Sequence, residues 1–250
     1  GLKEFGNIYS RLGNPTVGAL EARLTALEEG AMCVALSSGT SAVMYSLINI
    51  MSQGDNFVTA NQLYGGTYTM FDNILPEYGI NSKKVDITDL EAVEAAIDEK
   101  TRAIYCETIT NPGLVVADIS ALADIAHSKG IPLIVDATFT TSAILKPFEY
   151  GADIVVYSLT KWMSGHGRVI AGAVIEKGGF DWGNGNFPLY DKPDTSYGGM
   201  RWGHDLGDLG NVAYSLRLRT VPLRNLGANM SPDTAFEVMS GLETLALRME

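Results

Sequence analysis

The stretch IPLIVDATFTTSAILKPFEYGADIVVYSLTKW, residues 131–162, contains two apolar runs of strand length, IPLIVDATF and ADIVVYS. Each gives way to residues that carry chemistry. The first reaches Asp136, and the second passes through Ser158 and Thr160 to Lys161. Charged side chains are seldom buried without a partner. A lysine at a strand end can lay its stem on apolar surface and keep its ammonium in water. An aspartate there can cap the next segment. If both runs belong to one open sheet, however, the two charges meet at a shared edge.

The flanking sequence supplies such a sheet. Asn14-Pro15 opens a helix with a cap and a proline in the first turn. Val17, Leu20, Leu24 and Leu27 mark its buried face, and Gly30 ends it. MCVALS reads as a strand that runs through Ser38-Gly39 into the helix TSAVMYSLINIM. NFVTA is a strand and GGTYTMFDNILPEYG a helix, and Thr88 with Glu91 forms a capping box ahead of Leu90, Val93 and Ile97. RAIYCET and AGAVIE add strands, and ISALADIAHSKG a helix. Strands separated by helices imply right-handed crossovers, so the expected class is α/β, a mainly parallel sheet flanked by helices. Residues 178–210, with many Gly, Asp, Asn, Pro and aromatic residues and little periodicity, read as a long functional or contact-forming loop.

Composition narrows the function. The chain has 250 residues, 46% of them hydrophobic, enough for one sizeable core. A formal net charge of −11 argues against nucleic acid as a partner, because phosphate binding needs clustered Lys and Arg. Cys33 and Cys106 lie in apolar runs, as small buried hydrophobes of a reducing compartment do. With three histidines and two scattered cysteines, no metal-ligand spacing appears. Neither a membrane span nor a signal peptide is visible, so a cytoplasmic protein with no membrane partner is expected. Opening on Gly1 and stopping inside the apparent helix LALRME, the sequence reads as a fragment at both ends.

In an open α/β sheet, ligands bind beyond the carboxyl ends of the strands. Ser38-Gly39-Thr40 makes a strand-to-helix turn there, whose free N–H groups favour a phosphate. The turn matches neither GxGxxG nor the P-loop pattern, which removes the main support for a dinucleotide or nucleoside triphosphate. Tyr64, in LYGGT after another strand, offers an aromatic platform with a polar tip. Asp136 is costly in its place unless it meets a cation or a donor. A phosphate cradle, a stacking aromatic, an aspartate for a pyridinium nitrogen and a lysine able to form a Schiff base together suit pyridoxal 5'-phosphate.

The segments FGNIYSRLGNPT, ALSSGTSA, LYGGTY, ETITNP, IVDATF and YSLTKWMSGHG follow one another along the chain. In that order they resemble the pyridoxal-phosphate enzymes of cysteine and methionine metabolism. This group includes cystathionine synthases and lyases, methionine γ-lyase and O-acetylhomoserine sulfhydrylase. The resemblance covers essentially the whole chain and implies the large domain of the type I, aspartate-aminotransferase-like fold. Residues 1–13 would be part of an N-terminal arm reaching the neighbouring subunit, and 14–235 the cofactor-binding large domain. Residues 236–250 would begin a C-terminal small domain otherwise missing from the chain. The resemblance also implies Lys161 as the Schiff-base lysine and Asp136 as the partner of the pyridine nitrogen. Tyr64 would stack on the ring and assist as acid or base. Gly39 and Thr40 would bind the phosphate with amides, Ser158 and Thr160 with hydroxyls, and Asn111 would lie near the cofactor's phenolic oxygen. Tyr9 and Arg11 would grip the phosphate in the neighbouring subunit, making the enzyme a dimer with shared sites and, by family habit, a tetramer.

Within that family, FGNIYSR, KWMSGHG and residues 181–199 look most like O-acetylhomoserine sulfhydrylases, and Gly66 stands where methionine γ-lyases typically carry cysteine. The implied reaction is γ-replacement on O-acetyl-L-homoserine with sulfide or a thiol, giving homocysteine or methionine and acetate. A methionine or cystathionine γ-lyase, or a cystathionine γ-synthase, would use the same residues. Ala137, Arg168 and Gly198 depart from the family's usual residues and are expected to bear on substrate choice. Phe187, Tyr190 and Tyr197 are expected to give residues 181–199 the apolar bulk of a closing lid.

Overall fold

Seven strands form one sheet in a computed structural model that describes residues 6–250, so residues 1–5 of the expected N-terminal arm lie outside the described residues. The strands are β1 (Met32–Leu36), β2 (Asn56–Ala60), β3 (Asn81–Val85), β4 (Thr101–Glu107), β5 (Leu133–Asp136), β6 (Ile154–Ser158) and β7 (Gly172–Glu176). Their order is β1-β7-β6-β5-β4-β2-β3, and β7 alone runs against its neighbours. The mainly parallel sheet is therefore present. Its central strands are continuous apolar runs because helices cover both faces. Every residue of β2, β4 and β7 is buried.

One strand escapes the hydrophobic pattern. β3, NSKKV, pairs only with β2 at the sheet edge, where Lys83 reaches Asp98 and Lys84 reaches Asp72. Lysines on an edge strand discourage pairing with another chain.

The helices follow their caps. Asn14 Oδ1 accepts from Thr16 N (3.0 Å) to start α1 (Pro15–Glu28), a cap worth ~1 kcal/mol. Leu20 and Leu24 of α1 are fully buried, at ~1.5–3 kcal/mol each relative to exposure. Glu29, rather than Gly30, takes the left-handed turn that ends α1, with φ 57°. Gly30 is needed for close approach, since a Cβ there would lie 2.8 Å from Ile175 Cγ2. Ser38 caps α2 (Gly39–Ile48), α3 (Gly65–Thr69) follows β2, and α4 (Leu90–Ala95) follows β3. The expected Thr88–Glu91 capping box does not form. Asp89 caps α4 instead, accepting from Ala92 N at 3.0 Å, while Thr88 donates its hydroxyl to Asp86. Before and after β5 come α5 (Ile119–Ser128) and the short α6 (Thr141–Ile144).

None of residues 178–210 lines the cavity at the carboxyl ends of the strands. Trp182 stacks on Tyr190 of α7 (Pro188–Asp191) and on Tyr214 of α8 (Ala213–Leu218), with centroids 5.1 and 5.2 Å apart. Phe187 meets Trp182 edge-on, and Phe187 and Tyr190 are fully buried. Buried Arg217 donates to Asn49 O (2.7 Å), and Asn49 Nδ2 donates to the Tyr190 hydroxyl (3.0 Å). Phe187 and Tyr190, expected to close a site, thus belong to the core, and Tyr197 packs on Trp202 with centroids 5.1 Å apart. Further on, the helix Pro232–Leu242 buries Ala235, Val238 and Leu242, and the expected boundary at 235/236 falls inside it.

The connection from β6 to β7, residues 159–171, turns back at the same sheet edge. Thr160 closes its base, donating from N (3.3 Å) and Oγ1 (3.2 Å) to Ala171 O and accepting from Ala171 N (3.0 Å). Among the described residues no helix is long and apolar enough to cross a membrane.

Two acids are buried away from this edge. Glu176 accepts from Ser215 N (2.8 Å) and Trp182 Nε1 (3.3 Å), and Glu28 accepts from the Tyr157 hydroxyl while its Oε2 has no partner. Burial pushes both carboxyls up to about 7, from 4.5. The folded chain therefore keeps protons that the unfolded chain releases between pH 4.5 and 7. Stability is greatest below that window from these groups and is lost as pH rises through about 7. His127, raised by its hydrogen bond to Asp153, acts in the same sense. The expected outcome is a higher melting temperature at pH 6 than at pH 8, with Glu176→Gln flattening the difference; calorimetry across that range checks it.

Candidate active site

At the carboxyl ends of β4, β5 and β6 lies a cavity of about 690 Å³. Gly39, Thr40, Tyr64, Asn111, Asp136, Ser158, Thr160 and Lys161 all line it, which brings together every expected site residue except Tyr9 and Arg11. Those two lie elsewhere. Arg11 donates to Arg224 O and stacks 5.2 Å from the Tyr9 ring centroid, and Tyr9 is 58% exposed.

One end of the cavity is built from backbone. The turn Ser38-Gly39-Thr40 starts α2, where N–H groups lack helical partners. It packs directly on the ends of β6 and β7. A Cβ on Gly39 would lie 2.5 Å from Ser158 Cβ, and one on Gly172 would collide with Ser38 O. Only a chain without side chains at both positions can bring these amides to the sheet edge.

Asp136 occupies the middle. Its Oδ1 accepts from Thr138 N (2.9 Å), and its Oδ2 accepts from the Tyr105 hydroxyl (3.4 Å). Burial raises its pKa, opposed by the Thr138 and Tyr105 hydrogen bonds. An acid so placed has a standing preference for a cation from the cavity side. Lys161, just past β6, makes no ion pair among the described residues. The hydroxyl hydrogen of Thr160 is already given to Ala171 O, whereas Ser158 is held through its backbone N–H on Thr138 Oγ1 (2.7 Å).

Tyr64 stands at the start of α3, 49% exposed. Its ring lies against Gly66, where a Cβ would be 2.7 Å from Tyr64 Cε1. Any larger residue at 66 would swing the phenol.

Glu107 was not among the expected residues. It ends β4 beside Asp136, lines the cavity, and is 6% exposed. Its carboxylate accepts from Tyr64 N (2.7 Å) and Asn111 N (3.1 Å). Burial pushes it up to about 7, with Asp136 adding to the rise and the two amides opposing it. Its signal was present in RAIYCE, an apolar run ending in an acid as IPLIVD does. Val43, Ile109, Phe139, Trp162 and Ile170 supply apolar walls.

The three departures from the family pattern stay outside the cavity. Ala137 is fully buried, Arg168 pairs with Glu237, and Gly198 takes a left-handed φ of 66° after a short turn. None lines the cavity.

The donor set fits pyridoxal phosphate: bare amides at a helix start, an enclosed acid without a cation, and a lysine free of ion pairs. Comparison with known proteins agrees. The family model described as "Cys/Met metabolism PLP-dependent enzyme" matches residues 1–250. An O-acetyl-L-homoserine sulfhydrylase of Leptospira meyeri is 44% identical over 255 residues, covering 100% of this chain and 58% of that protein. A homocysteine synthase of Schizosaccharomyces pombe is 45% identical over 253 residues, with the same coverage. The chain thus spans 58% of the length of these curated relatives. A crystal structure from Campylobacter jejuni, described as an O-acetylhomoserine (thiol)-lyase with N'-pyridoxyl-lysine-5'-monophosphate, superposes with a TM-score of 0.94 at 40% identity. The match covers 98% of this chain and 61% of that one.

Gly39→Ala is expected to push the α2 amides off the sheet edge and weaken cofactor binding about tenfold, the loss of one charge-assisted hydrogen bond. Titration of the cofactor-free intact protein with pyridoxal phosphate, alongside far-ultraviolet circular dichroism, measures that loss apart from unfolding.

Proposed function

This chain belongs to the Cys/Met metabolism PLP-dependent enzyme family, and from that premise we propose that it forms the cofactor-binding part of an enzyme replacing the γ-substituent of O-acetyl-L-homoserine. Sulfide or a thiol is the second substrate, and homocysteine or methionine and acetate are the products. The observation that carries the reading is the meeting of Lys161, Asp136, Tyr64 and the Gly39 turn around one cavity. The names of the relatives, an O-acetyl-L-homoserine sulfhydrylase and a homocysteine synthase among them, support replacement.

Pyridoxal phosphate, when bound, supplies an aldehyde that condenses with amines and a protonated ring that accepts electrons from carbon. In this reading the chain does the rest. The Gly39 and Thr40 amides and the Ser158 hydroxyl hold the phosphate. Thr160 serves chiefly to close the lysine loop, since its hydroxyl hydrogen is committed to Ala171 O. Asp136 would hold a proton on the ring nitrogen. Tyr64 would stack on the ring, and Asn111 would approach the phenolic oxygen. Lys161 Nζ would hold the cofactor through its aldehyde and, when free, would remove the proton from the substrate Cα. It then carries protons at Cβ as acetate leaves and sulfide adds at Cγ. The apolar walls, Phe139 and Trp162 among them, exclude water during that interval. Tyr9 and Arg11 complete the phosphate site of a neighbouring subunit, which makes the enzyme at least a dimer. Two free, buried cysteines suit the cytoplasm.

Incubating the intact enzyme with O-acetyl-L-homoserine and sulfide is expected to give homocysteine in excess of 2-oxobutanoate by chromatography. Mainly 2-oxobutanoate under ample sulfide would make it a lyase. Lys161→Ala is expected to abolish both products while leaving the fold unchanged.

A mixture of inactive Lys161→Ala and inactive Arg11→Ala proteins is expected to regain activity on subunit exchange. Each hybrid dimer then has one site with both side chains. Verified hybrids without activity would remove Arg11 from the shared site.

A further inference from the structure

Glu107 is an expensive residue to keep. It is almost completely enclosed, faces the negative charge of Asp136 across one strand spacing, and pairs with no cation among the described residues. Its two oxygens are divided between two loops. Oε1 takes the N–H of Tyr64, on the loop between β2 and α3, and Oε2 takes the N–H of Asn111, on the loop after β4. The same two loops touch again where Gly113 lies against the end of the Gln62 side chain. Two donors converging on one group require an acceptor at both ends. The two oxygens of a carboxylate provide that, whereas a glutamine presents one acceptor and one competing donor.

We infer that Glu107 is a positioning residue, a clamp that joins the Tyr64 and Asn111 loops and so fixes the stacking ring and the Asn111 side chain against the cofactor plane. This rests on the function proposed above. Glu107 reaches both loops through backbone, so the identity of the side chains at 64 and 111 does not alter the clamp. An acceptor lost at either amide frees its loop to drift. A displacement of about 1 Å in a reacting array can cost ~10²-fold in rate.

The test uses the intact, cofactor-loaded protein with Glu107→Gln and Glu107→Asp. Glu107→Gln is expected to keep its melting temperature and far-ultraviolet spectrum but to change the circular dichroism band of the bound cofactor, which reports ring placement. Its kcat should fall about 10- to 100-fold, with KM for O-acetyl-L-homoserine changing much less. Glu107→Asp, which keeps the charge but is one methylene shorter, should fall between the two. A folded Glu107→Gln protein with the wild-type cofactor band and kcat within about twofold would overturn the inference. Should neither variant fold, hydrogen exchange on the wild type decides. The Tyr64 and Asn111 amides must then be protected despite lying at loop positions, and rapid exchange at both would overturn the clamp. Failure of the underlying functional reading looks different, because the wild type itself would then give mainly 2-oxobutanoate, or no product, from O-acetyl-L-homoserine and sulfide.

Discussion

Backbone hydrogen bonding between β4, β5 and β6 is the constraint on which the site depends. Parallel pairing sets Glu107 beside Asp136 and Asp136 beside Val156, so Ser158 projects two residues beyond the acid and Lys161 beyond that. Strands spaced about 4.8 Å apart thereby deliver a glutamate, an aspartate, a serine and a lysine to one edge from three separate segments. Side chains alternate between faces along a strand, so a slip of one residue in β5 would turn Asp136 away and present Ala137 in its place. Asp136 is held in this register by Thr138 N and the Tyr105 hydroxyl.

How much of this could be read from the sequence depends on where the decisive contact lies. The α/β class and the central strands were legible because strands buried on both faces are unbroken apolar runs. β3 was not, because NSKKV is an edge and carries the lysines an edge needs. Asp136 and Lys161 were legible as charges at the ends of core strands. Glu107 has that same signature, but its work is done on backbone amides of two loops, which no side-chain motif records. The segment 178–210 misled for a related reason. Its glycines, asparagines and prolines read as a long functional or contact-forming loop, while the burial of Trp182 and Tyr190 within it is decided by Asn49, Tyr214 and Arg217, which lie far from it or beyond it in sequence. Tyr9 and Arg11 are a further kind of case, since their own protomer leaves them apart from its cavity.

Shifted acidity by itself does not mark the site. Glu28, Glu107 and Glu176 are all pushed up to about 7 by burial. Glu176 sits at the opposite edge, bound to Ser215 and Trp182, where it ties β7 to α8 and the aromatic cluster. What separates Glu107 is its address: it faces a cavity and a second acid, and its partners are loops rather than core elements. Geometry assigns the role, and the titration only accompanies it.

The reversed direction of β7 has a consequence for how the molecule can change. In the parallel part of the sheet, each connection leaves the ligand edge and must cross the whole layer before the chain returns. Residues 159–171 instead depart from and come back to the same edge, latched by Thr160 and Ala171. This makes the lysine-bearing segment a detachable cassette. Trp162, Gly165, Gly167 and Ile170 face the cavity from within it, so exchanging its interior between relatives could reshape the substrate side while leaving the register of every strand as it was.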